Sequence, residues 1–98
     1  MDYSKLSDAE INWKVAFHIG LRTVEKAESG DFNPCNNPSD AWPIIANNFI
    51  SIIPSIHRDI WFADGQGGET TFHANPLLAA MIVFLMMQES ANVQDNPA

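Results

Sequence analysis

Basic residues are scarce in this chain: 5 lysines and arginines stand against 12 aspartates and glutamates, for a formal charge of −7. A surface of that sign repels phosphates, which excludes a direct role on DNA or RNA. Cysteine is nearly absent. Cys35 stands alone, so no internal disulfide forms, and the usage fits a reducing cytosol. Long apolar runs are missing too. The greasiest stretch, Pro76 to Met87, falls short of the ~20 residues that a membrane span needs. The opening Met1-Asp2-Tyr3-Ser4-Lys5 lacks the basic-then-apolar layout of an export signal. His18, His57 and His73 lie far apart and form no i, i+4 pair or Cys/His cluster, so neither a metal nor a cofactor is expected. Asp64-Gly65-Gln66-Gly67-Gly68 lacks the Lys-Ser/Thr of a phosphate loop and reads as a hairpin turn. No internal repeat is visible.

What the chain does have is apolar content. Hydrophobic residues make up 46% and charged ones 17% of 98 residues, which describes one folded domain with one core. Its organising stretch is Asn75-Pro76-Leu77-Leu78-Ala79-Ala80-Met81-Ile82-Val83-Phe84-Leu85-Met86-Met87. Asn75 is a good N-cap and Pro76 suits the first helical position. A helix apolar on every side must be covered on every side. One side can lie on a sheet. The first two helices or a second copy must cover the other, and in so short a chain a homodimer through Asn75–Glu89 is the expected solution.

Leu6-Ser7-Asp8-Ala9-Glu10-Ile11 holds a capping box, Ser7 with Glu10, and a staple, Leu6 with Ile11. The helix it starts puts Ile11, Val15, His18 and Ile19 on one face and stops at Gly20. Leu21–Lys26 alternates and reads as a short edge strand. Asn37 caps a further helix that begins at Pro38 and runs to about Asn48, with Pro43 expected to bend or delay its start. Strands are expected at Phe49–Ile53, Asp59–Ala63 and Thr70–His73. The fold class is therefore α+β: a small antiparallel sheet of 3–4 strands with helices packed on it. Residues 1–90 form the domain and 91–98 a loose polar tail.

No catalytic constellation emerges. Cys35 stands just before a helix start, where a thiol pKa can fall, but no nucleophile signature surrounds it. Trp42 and Trp61 are expected to pack in the core. Trp13 falls off the Ile11–Val15–Ile19 face, so it serves either the core or a contact. The residues expected on an interaction surface are Trp13, Cys35, Asn36, Asn37, Trp61, Met86 and Met87.

Two long motifs stand together: Phe32-Asn33-Pro34-Cys35-Asn36-Asn37-Pro38-Ser39-Asp40-Ala41-Trp42-Pro43-Ile44-Ile45, and Asn75 through Gln88-Glu89. With the opening Met1–Asp8, the chain resembles the NinX family of small proteins from lambdoid phages and prophages. A looser similarity links the order of elements to phage alpha-beta-alpha sandwich domains. The NinX resemblance implies an accessory phage protein in the bacterial host cytoplasm, and it brings no catalytic residues.

Three functions follow as expectations. The first is a non-enzymatic protein that binds a host or phage protein. The second is an acidic counter-defence protein that occupies a nucleic-acid-binding site. The third is a nucleotide or small-ligand module using Trp42 or Trp61.

Overall fold

The computed structural model describes residues 2–94, with side chains described through Ala91. Among them a 3-10 turn, Tyr3–Lys5, precedes α1 (Asp8–Ile19), α2 (Leu21–Ser29), α3 (Pro38–Asn47), β1 (Ser51–Pro54), β2 (Trp61–Asp64), β3 (Thr70–His73) and α4 (Pro76–Gln94). The three strands form an antiparallel meander in the order β1-β2-β3. The fold class is α+β, as the sequence implies.

Helix α4 is the middle layer. It packs against the strands on one side and against α1 and α3 on the other. Leu78 to Leu85 are all buried within the one chain. The covering that the sequence demands is thus supplied internally, by α1 and α3, the two helices expected ahead of the meander, and not by a second copy. The three layers run sheet, α4, outer helices, and the sheet is an outside layer. This differs from an alpha-beta-alpha sandwich, because Ile53 and Phe72 on the far face of the sheet remain exposed.

The helix starts follow their caps. Ser7 Oγ accepts from the Glu10 amide at 3.1 Å, and the Ser7 amide donates to Glu10 Oε1 at 3.0 Å. The Ser7 amide on its carboxylate, and then the Ser7 hydroxyl, lower the pKa of Glu10 from its ordinary value. The buried face of α1 is Ile11, Asn12, Val15 and Ala16. Ile19 and His18, expected on it, are exposed, because the core lies toward positions 12 and 16 instead.

Leu21–Lys26 is a helix and not a strand. Gly20, at φ 155°, breaks the chain direction. Its carbonyl then accepts from the Thr23 and Val24 amides, which starts α2. Glu25, Lys26, Ala27 and Glu28 favour helix, and Val24 with Ala27 packs on the core. Gly30, left-handed at φ 87°, closes α2.

Asn37 Oδ1 accepts from the Ser39 amide at 3.0 Å, and α3 begins at Pro38 without delay. Pro43 is exposed. The Ser39 carbonyl that loses its usual donor belongs to an exposed residue, where water can serve it. At the other end Phe49 and Ile50 form a helix stop and not strand: the Ile50 amide donates to the Ile45 carbonyl at 3.0 Å, and Ile45 and Ile50 are both buried. Phe49 takes the left-handed position, φ 53°, that glycine usually holds. Phe49→Gly is expected to raise stability by about 1 kcal/mol, since a left-handed bulky residue is strained by roughly that much. Urea unfolding checks this. An unchanged midpoint would mean that the strain is relieved by contacts of the ring.

Helix α4 also continues beyond the expected tail boundary. Ala91 to Gln94 are helical, because nothing in Gln88-Glu89-Ser90-Ala91 stops a helix already nucleated by its buried half. The remaining tail residues, 95–98, lie outside the described residues.

Candidate functional site

Two places bring chemistry-bearing side chains together. One is a cluster of side-chain amides beneath the Phe32–Asn37 turn. Asn12, buried on α1, accepts from the Cys35 amide at 3.1 Å and donates to Asn33 Oδ1 at 2.7 Å. Asn36 Nδ2 donates to Asp8 Oδ2 at 3.0 Å. Asn75 Oδ1 accepts from the Leu77 amide at 3.0 Å, capping α4, while its Nδ2 donates to the Cys35 carbonyl at 2.7 Å. Asn75 therefore ties the start of α4 to the turn before α3. An amide carries both donor and acceptor, so one side chain can satisfy two backbone groups on different elements. The cluster is a clamp, and its polar atoms are occupied by one another.

Cys35 sits inside this clamp, fully buried. It is a correction to the expected interaction surface. Its thiol approaches the Asp8 carbonyl at 3.8 Å. Burial, and then the Asp8 charge, pushes its pKa up to about 12. The helix-start effect that would lower it is outweighed by desolvation. In the folded protein at pH 8, iodoacetamide is expected to modify Cys35 orders of magnitude more slowly than a free thiol, with reaction proceeding through transient unfolding. Mass spectrometry over time measures this; a free-thiol rate in native buffer would contradict the burial.

The second place is a groove of about 290 Å³ between α1 and the C-terminal half of α4, lined by Tyr3, Trp13, Lys14, Phe17, His18, Leu85 and Glu89. The Trp13 and Phe17 rings stack, 5.7 Å between centroids and 19° between planes. Phe17 meets His18 edge-on, and His18 meets Phe84 edge-on at 6.0 Å. This aromatic chain runs from the surface to the buried rod. Trp13 is 41% exposed and Phe17 63% exposed. Positions 13 and 17 are one helical turn apart, so α1 presents both on the side away from Ile11 and Val15. Burial, and then the facing Glu89 carboxylate, raises the pKa of Tyr3 well above its ordinary value.

The other expected surface residues are dispersed. Asn36 and Asn37 are exposed at the turn, where they bond Asp8 and cap α3. Trp61 is half-buried at the start of β2. Met86 and Met87 are half-buried and pack on the core. Met87 lies where a Cβ at Gly65 would touch it, under the β2–β3 turn. Trp42, expected in the core, is 65% exposed, since α3 buries Ala41, Ile44 and Ile45 instead. Phe17 was absent from the expected surface. Its signal was its spacing of four residues from Trp13, off the apolar face.

A third feature lies on the outer face of the sheet. Ile53, Phe62 and Phe72 are register partners across the three strands, with the two phenylalanine rings 5.9 Å apart. All three are exposed. Among the described residues no group of three or more His, Cys, Asp or Glu could hold a metal ion, and no helix is long and apolar enough to cross a membrane.

Comparison with known proteins gives one family. No curated protein and no solved structure matches the chain. A family model described as "Bacteriophage P22, NinX" matches residues 2–88. That span contains both halves of the amide clamp, the Phe32–Ile45 motif and the Asn75 cap, together with both walls of the groove up to Gln88. On that match the chain belongs to the bacteriophage P22 NinX family.

Proposed function

We propose that this phage protein is a small non-enzymatic accessory factor that acts in the host cytoplasm by binding another protein, with the α1–α4 groove as its contact surface. The exposed Trp13–Phe17 stack carries this reading. Large aromatic rings held rigidly over a concave wall are what binding hot spots are made of. The acidic-decoy alternative is served less well, because Lys14, Arg22 and Lys26 interrupt the carboxylates along α1 and α2.

Affinity capture during infection, followed by mass spectrometry, tests it. The wild-type chain is expected to recover a stoichiometric partner that the folded Trp13→Ala/Phe17→Ala variant loses. A partner retained by that variant would overturn the assignment to this groove.

Self-association is a second reading, favoured by the exposed Ile53–Phe62–Phe72 row. Helix α4 needs no second copy at Leu78–Leu85, which one chain already buries. Two sheet faces can pack through such a row. Sedimentation at micromolar concentration would show a species above 10.9 kDa that Phe72→Lys dissociates; a monomer alone would remove this reading.

A further inference from the structure

We infer that the α1–α4 groove takes an arginine side chain from a basic partner, the guanidinium lying on the Trp13–Phe17 stack and meeting the Glu89 carboxylate. The inference rests on the docking reading and names the chemistry of its partner.

Three observations converge on it. The groove is lined by two exposed, stacked aromatic rings on α1 and by a carboxylate on α4. Arginine is the side chain with both a flat face for stacking and a fixed charge for a carboxylate. The volume, about 290 Å³, lies at the low end for ligand pockets and has room for one long side chain. The chain carries a net charge of −7, so a basic partner is steered toward it and an acidic one repelled. Lys14 also lies on the wall, and Glu10, one turn before it, bears the opposite charge. Glu89 is half-buried beside the buried Tyr3, a setting in which an ion pair is screened less than on an open surface.

The probes are three capped tripeptides, Gly-Arg-Gly and its citrulline and norleucine counterparts, titrated into the full chain. The readout is the Trp13 indole N–H resonance, assigned through Trp13→Phe. The arginine peptide is expected to shift that resonance saturably in the millimolar range. Citrulline keeps the shape and removes the charge, and should bind about tenfold more weakly or worse, as should the arginine peptide to Glu89→Gln. Phe17→Ala, at an exposed site, should weaken binding without loss of fold. Equal binding of arginine and citrulline, or no shift with arginine, overturns the inference. Norleucine binding as well as arginine also overturns it, while leaving the groove an apolar docking site. Capture of a partner that depends on Trp13 and Phe17 but makes no arginine contact separates failure here from failure of the docking reading.

Discussion

Asn12→Leu is expected to destabilise the protein by about 2–4 kcal/mol, although the two side chains are similar in size. The residue is buried, and both ends of its amide are used. Leucine fills the space but leaves the buried Cys35 amide without its acceptor and takes a donor from Asn33. An unmet buried N–H costs about 1–3 kcal/mol, and the lost Asn33 bond adds about 1 kcal/mol. Against a total of roughly 5–15 kcal/mol for a domain of this kind, the change is large. Asn36→Ala makes the control. Asn36 is exposed, water can replace its partners, and the expected loss is below about 1 kcal/mol. Cys35 itself reports the difference. Its alkylation requires opening, so a loss of about 2–4 kcal/mol should speed modification about 25- to 700-fold, at tenfold per 1.4 kcal/mol. Equal rates in Asn12→Leu and wild type would show that the clamp contributes nothing.

Met81→Ala is expected to cost about 2–5 kcal/mol. Met81 is fully buried in the N-terminal half of α4, and a buried large-to-alanine change loses transfer energy and leaves a cavity. In a domain this small, that lowers the melting temperature by roughly 10–30 °C. Met86→Ala, at a half-buried position of the same helix, should cost much less. The test also decides how the rod is covered. Burial within one chain gives a loss that is independent of protein concentration. If the rod were covered by a second copy, the melting temperature of the wild type would rise with concentration, and the effect of Met81→Ala would change with it.

Legibility was uneven along the chain. Ser7 with Glu10, Asn37 with Pro38, and Asn75 with Pro76 marked three helix starts. A cap is a local device, whose partners lie within three residues. The meander was legible from β-branched runs broken by Pro54 and by the Asp64–Gly68 turn. Leu21–Lys26 misled because a six-residue window fits both periods. The helix-forming run beyond it, ending at Gly30, held the correcting information. Phe49 misled because its β-favouring ring occupies a helix stop that glycine would have announced. Trp42 shows the limit of counting apolar residues: α3 has more of them than its neighbours can cover, and only packing decides which ring is left outside.

The sequence by itself determined the fold class, the caps, the sheet and the apolar rod. Each follows from backbone preferences and apolar spacing within a short window of chain. The tertiary structure alone decided what lies against what. It put α1 and α3 over α4, sealed Cys35 among amides from three segments, and set Trp13 and Phe17 across a groove from Glu89. These contacts join residues 23 to 40 positions apart or more, and which of several compatible pairings forms depends on how all the elements pack at once.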